Sequence, residues 1–237
     1  MNDSIRGRPP LWRHDAYTLR RLARGLELDL GSLAHAGLLG HGRTLVDLGC
    51  GCSPYRPLVE HSGSAYVGCD LDAGPGVDQI ISSDCKTTLP SGSADVVGSF
   101  QVLEHVWSLD DYLGECRRLL QPQGRLLLST HGTWLYHPHP TDFRRWTRDG
   151  LAKELESRGF EVTSMRALVG PLAWTTQFRT LAYWHLADRL GIPGRILGAA
   201  LCLFMYARMR LEDAITPSAV AANNAAVYLL TARLRDN

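Results

Sequence analysis

The sequence has almost no net charge, with 25 basic side chains set against 24 acidic ones for a formal +1. That balance excludes a protein captured by nucleic acid through bulk electrostatics, which needs a clustered cationic excess. Lysine is nearly missing: Lys86 and Lys153 stand alone among arginines, a bias that reads as coding preference before function. A disulfide framework is missing too, because Cys50, Cys52, Cys69, Cys85, Cys116 and Cys202 follow no paired spacing. With no apolar secretion segment opening the sequence, a reducing cytoplasm is the expected setting. Long apolar runs are scarce. The longest nearly apolar one, Ile196 to Ala207, is about half of the roughly 20 residues a spanning helix requires, so a buried or interfacial helix is expected there.

What is present is a 237-residue chain, 45% hydrophobic and 21% charged, large enough to bury a core without metal or disulfide staples. The charge is uneven. Arg6, Arg8, Arg13, Arg20, Arg21 and Arg24 outweigh Asp3 and Asp15 near the start, an arm suited to an anionic substrate or a membrane surface.

Leu19, Leu22, Leu26, Leu30 and Leu33 recur at three- and four-residue steps after Asp15, which predicts an amphipathic leading helix with Asp15 as its N-cap. From Thr44 the period changes. Thr44–Leu48, Ala65–Asp70, 79–82, Asp95–Phe100 and 125–129 read as short strands apolar on both faces, as in a parallel sheet. Between them Ser108 opens a helix with a Leu109, Leu113, Cys116 and Leu120 stripe, which Gln121-Pro-Gln-Gly124 turns back. A further helix follows Thr147, with Leu151 and Leu155 inward and Gly159 as its stop, before a strand from Phe160 to Arg166. Alternation of this kind predicts an α/β fold with an open, doubly wound, mostly parallel sheet. The chain then divides into an arm and covering helix (1–40), a core (41–170), a helical insertion before the last strand (171–213) and that last strand (214–237). The insertion fits a lid over a pocket, a homodimer interface or a face for peripheral membrane contact.

In such a sheet ligands bind at the carboxyl ends of the strands. There stands Val46-Asp-Leu-Gly-Cys-Gly-Cys-Ser-Pro54, whose Gly49 and Gly51 let a ligand approach the backbone. Asp70 closes the second strand 19 residues after Gly51, near the spacing of about 20 for an acid that takes ribose hydroxyls. An adenosine-containing cofactor is implied. Two features decide which one: Pro54 stands where a dinucleotide fingerprint wants its third glycine, and Asp47 precedes the glycine turn. A carboxylate there repels a pyrophosphate and complements an ammonium group. S-adenosylmethionine has the ammonium and lacks phosphates.

From Thr44 to about Val162 the sequence resembles the class I S-adenosylmethionine-dependent methyltransferases, particularly the broad methyltransferase-domain group with an acid-Leu-Gly-Cys-Gly loop and a ubiquinone-methyltransferase-like core. The resemblance implies a Rossmann-like fold. It implies cofactor contacts at Asp47, Gly49, Cys50, Gly51, Asp70 and Leu71, adenine recognition by Asp84 and Cys85, and a segment beneath the methionine portion, Gln101-Val102, that continues through Glu104 and His105 to face substrate. In ubiquinone-type members this last segment carries an additional acid and helps hold a divalent metal; Gln101 removes that acid here, so no metal is expected. Cys50 and Cys52 are read as small loop residues, not ligands.

After the fifth strand, His131-Gly-Thr-Trp-Leu-Tyr-His137-Pro-His139-Pro-Thr-Asp142-Phe-Arg-Arg-Trp146 resembles the group's substrate-facing loop. A hydroxyl nucleophile must lose a proton as the new bond forms, a task for a placed histidine; His137 and His139 are the candidate bases, with His105 beside them. Tyr136, Asp142, Arg144 and Trp174 are the candidate acceptor-binding residues, while Trp146 is expected to anchor the loop. The expected activity is O-methylation of a small acceptor such as a sugar, glycoconjugate precursor or secondary metabolite. N- or C-methylation, a non-catalytic S-adenosylmethionine-binding module and a nicotinamide dehydrogenase are the alternatives, the last disfavoured by Asp47 and Pro54.

Overall fold

The computed structural model describes residues 7–138 and 141–235. Its strands are β1 (Thr44–Leu48), β2 (Ala65–Asp70), β3 (Gln79–Ile80), β4 (Ala94–Phe100), β5 (Leu120–His131), β6 (Phe160–Leu168) and β7 (Val227–Leu234). They form one seven-stranded sheet in the order β3-β2-β1-β4-β5-β7-β6. β1 to β5 are parallel to their neighbours, and β7 runs antiparallel between β5 and β6. The mostly parallel, doubly wound, Rossmann-like sheet expected from the alternating pattern is therefore present.

Both faces of the sheet are covered, which is why its central strands are mostly apolar. Val46 and Leu48 of β1 join one core with Leu113 and Cys116 of α3 (Leu109–Leu119) and Leu151 and Leu155 of α4 (Arg148–Glu156). Leu45, one residue away and on the other face, joins a second core with Leu22, Leu26 and Leu30 of α1 (Ala16–His35). A short helix, α2 (Arg56–Glu60), follows the glycine loop. The cap of α3 is as predicted, Ser108 Oγ accepting from the Asp111 N–H at 3.4 Å, and Thr147 caps α4 through the Gly150 N–H at 3.1 Å. Gly159 takes φ +82° where α4 hands over to β6.

Three expectations need correction. Asp15 precedes α1 but makes no side-chain cap bond, because the Arg13 guanidinium claims both its carboxylate oxygens at 2.8 and 2.6 Å. Gln121–Gly124 lies within the extended span of β5, and the pairing with β4 jumps from Ala94↔Leu120 to Val96↔Arg125, so the excess residues are absorbed as a bulge. The insertion runs beyond 213: α5 (Pro171–Asp188), α6 (Gly191–Ile215) and α7 (Ser218–Asn223) all precede β7. The Ile196–Ala207 run is the middle of α6, a 25-residue helix long and apolar enough by length and composition to cross a membrane. The helix outgrows the apolar run because Arg195, Arg208 and Arg210 continue it without breaking it. Its inner stripe is packed, with Cys202, Met205 and Met209 buried, and its outer side is open.

Candidate active site

The chain leaves β1 toward β2 on one side and returns to β4 on the other, so the carboxyl ends of β1 and β4 flank the crevice where this topology places its ligands. At the end of β1, Gly49 has φ +82° and a Cβ there would come within 2.6 Å of the Val102 side chain. Only glycine fits both the dihedral and the contact. The loop is then fastened by the Gly49 and Cys50 N–H groups on the Cys69 carbonyl, at 2.8 and 3.0 Å, and by the Gly51 N–H on Asp70 Oδ2 at 2.6 Å.

A cavity of about 720 Å3 occupies this crevice, and Asp47, Gly49, Cys50, Gly51 and Cys52 form one wall of it. Asp47 is 1% exposed. Its Oδ2 accepts from the Tyr66 hydroxyl at 2.5 Å, whereas Oδ1 has no hydrogen-bond partner among the described residues. Burial, only partly offset by the Tyr66 bond, raises its pKa to about 7. A carboxylate buried with one oxygen unanswered suits an incoming cation and is incompatible with a pyrophosphate. The donor chemistry therefore fits the ammonium end of S-adenosylmethionine. Asp70 and Leu71 line the same cavity, with Asp70 also accepting from the Leu71 N–H at 2.7 Å.

At the adenine end the structure separates two residues predicted as a pair. Cys85, with φ +64°, lines the cavity together with Ser83. Asp84 does not: its carboxylate is exposed and bound to the Ser82 hydroxyl within its own loop. On the opposite side Gln101 (φ +59°) and Val102 face the cavity, and the Gln101 amide donates to Ser129 Oγ at 3.1 Å.

Three histidines gather on the cavity wall. His105 lies at the end of the 3-10 turn Leu103–His105 and lines the cavity. Its Nδ1 meets the Thr141 carbonyl, which can only accept, so Nδ1 is the donor and Nε2 is left free of that contact. His137 also lines the cavity. Its ring stands edge-on to both His131, at 4.9 Å between centroids, and His105, at 5.0 Å. Burial lowers the pKa of His137 and drives that of His131 well below the usual imidazole value. His139 lies outside the described residues.

His131 is the residue that sequence reasoning missed as a site member. It closes β5 and is buried, stacked on Trp134 at 5.1 Å with the planes 6° apart. Its Nε2 is 3.3 Å from Oε1 of Glu104, itself fully buried and holding Thr130 Oγ1 on Oε2 at 2.8 Å. Desolvation pushes Glu104 to about 7. The signal available was its place at the carboxyl end of a central strand.

The other acceptor candidates are placed elsewhere. Asp142 pins the loop: Arg145 donates to both its oxygens at 2.6 and 2.7 Å, and the His137 N–H donates to it at 2.9 Å. Arg145 also reaches the Trp134 and Leu135 carbonyls, at 3.1 and 2.8 Å. Arg144 is spent on the carbonyls of Val106 and Trp107. Tyr136 is 75% exposed, and Trp174 donates from Nε1 to the Asn224 carbonyl at 3.2 Å. None of Tyr136, Asp142, Arg144 and Trp174 is on the cavity wall, whereas Trp134 is. Trp146 is buried as the expected anchor.

Residues 12–165 match the methyltransferase domain family. The chain belongs to that family, within the class I S-adenosylmethionine-dependent methyltransferases. It is 32% identical over 136 residues to a Mycolicibacterium smegmatis protein described as a probable S-adenosylmethionine-dependent methyltransferase, a match covering 51% of this chain and 53% of that one. It is 32% identical over 110 residues to the ubiquinone biosynthesis O-methyltransferase of Pseudomonas paraeruginosa, covering 40% of this chain and 46% of the relative. The chain thus spans about half the length of the curated relatives it matches. Among solved structures, the Burkholderia thailandensis 1,6-didemethyltoxoflavin-N1-methyltransferase, bound to 1,6-didemethyltoxoflavin and S-adenosylhomocysteine, shares the fold. Its TM-score is 0.52 at 16% identity, covering 89% of this chain and 78% of that one.

The state of Asp47 yields a pH signature. The folded protein holds a proton on Asp47 that the unfolded chain, near its ordinary 3.8, has released. This contribution to stability is present below pH 3.8, falls as pH rises toward about 7, and is lost above it. Asp47→Asn removes the loss, so thermal unfolding should show the variant gaining on the wild type between pH 4 and 7. The same variant should bind S-adenosylhomocysteine about 10- to 100-fold more weakly, the worth of a charge-assisted hydrogen bond. A stability difference that stays constant with pH, or unchanged binding, would contradict this account of the carboxylate.

Proposed function

We propose that this chain is an enzyme that transfers a methyl group from S-adenosylmethionine to a hydroxyl oxygen of a small acceptor, such as a sugar, glycoconjugate precursor or secondary metabolite. The single observation that carries the reading is the unpartnered oxygen of Asp47 on the wall of the crevice cavity. Asp47 and the glycine loop would hold the methionine end, Asp70 the ribose and the Ser83–Cys85 loop the base. When bound, the cofactor supplies an electrophilic sulfonium methyl. The protein's own contribution is to fix the acceptor oxygen in line with that carbon and to take its proton, and positioning alone is worth about 7 to 11 kcal/mol. Six free cysteines suit a reducing, cytoplasmic location.

For the base, geometry favours His105 over His137. Its Nδ1 is committed to the Thr141 carbonyl and its ring faces the cavity, leaving Nε2 to accept. His137, held less basic by burial, is the poorer proton acceptor. A mass-spectrometric screen of hydroxylated small molecules should find an acceptor that gains one methyl group. On that acceptor, His105→Gln should slow single-turnover transfer about 10²- to 10⁴-fold with S-adenosylhomocysteine affinity retained. Absence of cofactor binding would remove the methyltransferase reading, and near-full turnover in the variant would remove His105 as base.

We also infer that the α5–α6 hairpin rests on an anionic lipid surface. Ile192, Ile196, Leu197, Phe204, Leu211 and Ile215 are each more than 60% exposed along α6. Beside them the exposed Arg179, Arg189 and Arg210 have no acidic partner among the described residues. The acids of α6 are engaged: Glu212 accepts from Arg208 at 2.7 Å and Asp213 from Tyr17 at 2.6 Å. Acidic headgroups would answer both the charge and the apolar stripe. The protein should float with phosphatidylglycerol vesicles, much less with phosphatidylcholine ones, and Phe204→Glu with Ile196→Glu should abolish flotation. No flotation with either lipid, or a dimer in light scattering that the double variant disperses, would overturn the assignment.

A further inference from the structure

Glu104, His131 and His137 come from three separate places in the fold: the turn after β4, the last residue of β5, and the loop beyond it. Their side chains converge. One donor atom from each lies within 4.8 Å of the other two. The Glu104 side chain is fully buried, that of His131 is 7% exposed and that of His137 28%. Glu104 Oε1, His131 Nδ1 and His137 Nδ1 are all buried atoms without a hydrogen-bond partner among the described residues. His131 approaches Glu104 Oε1 through Nε2, at 3.3 Å; a buried carboxylate oxygen without a hydrogen-bond donor among the described residues, with two imidazoles converging on it, forms a set that costs free energy until something answers it.

We propose that Glu104, His131 and His137 form a binding site for one divalent transition-metal cation of the zinc or cobalt type. One carboxylate oxygen and two imidazole nitrogens are the donors that borderline cations prefer, whereas magnesium favours an all-oxygen shell. The outer contacts are those of a held ligand set. Thr130 Oγ1 donates to the second oxygen of Glu104 at 2.8 Å and fixes the carboxylate, and Trp134 stacks on His131 and sets its plane. Asp142 Oδ2 lies 3.4 Å from His137 Nδ1, the one competing acidic contact, and it is itself occupied by Arg145.

The site differs from the metal segment expected by resemblance. Along that segment Gln101 donates to Ser129 and His105 is turned to the Thr141 carbonyl, so those two positions do not converge with Glu104. Two of the three proposed ligands, His131 and His137, line the cavity, which leaves any open coordination position toward the acceptor. A cation there would bind an acceptor oxygen and ease loss of its proton. That role rests on the methyl-transfer reading; occupancy of the site does not.

The test uses the whole chain, stripped with a chelator and titrated with Co²⁺ while visible absorption is followed, with metal content by mass spectrometry after Zn²⁺ loading. The expected result is one metal per chain, a cobalt band displaced by Zn²⁺ and untouched by Mg²⁺, and affinity lowered at least ~10-fold in Glu104→Gln, His131→Gln and His137→Ala. Circular dichroism and S-adenosylhomocysteine binding report whether each variant is folded, and the partly exposed His137 gives the variant least prone to misfold. Absence of Co²⁺ or Zn²⁺ binding by the wild type would overturn the proposal. So would binding that all three folded variants retain, since the metal would then sit on other histidines.

Discussion

The structure turns on a carboxylate buried where a carboxylate is costly. Asp47 sits near the carboxyl end of β1, 1% exposed, with a tyrosine hydroxyl on one oxygen and, among the described residues, no partner on the other. No local packing demand calls for a charge there; an asparagine or a threonine would satisfy Tyr66 as well. Its cost is tolerated because the neighbouring turn has been opened to admit a ligand: Gly49 at φ +82° leaves no Cβ between the strand end and Val102. Acid and glycine are thus two halves of one arrangement, one supplying the field and the other the room.

A second constraint governs the acceptor side. The loop after β5 has little regular structure, yet it is pinned by one ion pair, Asp142 with Arg145. The guanidinium bonds both carboxylate oxygens and the carbonyls of Trp134 and Leu135, which are several residues back along the chain. The Asp142 carboxyl is held far below the ordinary carboxylate range chiefly by that Arg145 bond, so the pair persists across the working pH. Residues that resemble substrate-binding groups in sequence are here the frame that holds His137 and Trp134 against the cavity.

How far the sequence was legible follows from the range of the forces involved. The strands were readable because both faces are buried and the apolar pattern is continuous. α3 and α4 were readable because their caps are local, Ser108 and Thr147 each bonding three residues on. Asp47 and Asp70 stood out because their spacing to the glycines is set by the chain itself. Asp84 and Asp15 were misplaced for one reason: a neighbour two residues away, Ser82 or Arg13, took the carboxylate before the expected partner. The extent of the insertion escaped because arginines continue a helix as readily as leucines do. His131 was written as the start of a loop, although it is the last residue of β5. Its juxtaposition with Glu104 depends on β4 and β5 lying side by side, a fact no local pattern carries.

That last case separates the histidines by chemistry. Three imidazoles stand in a row with centroids about 5 Å apart, and the outermost of them, His105, gives its Nδ1 to the Thr141 carbonyl. His131 and His137 meet the buried carboxylate of Glu104 and lose basicity to their burial, as Glu104 loses acidity to its own. All three line the cavity, His131 buried and His105 and His137 half-buried. One residue type meets different surroundings because β5 buries His131 while the turn and the loop leave His105 and His137 half-buried.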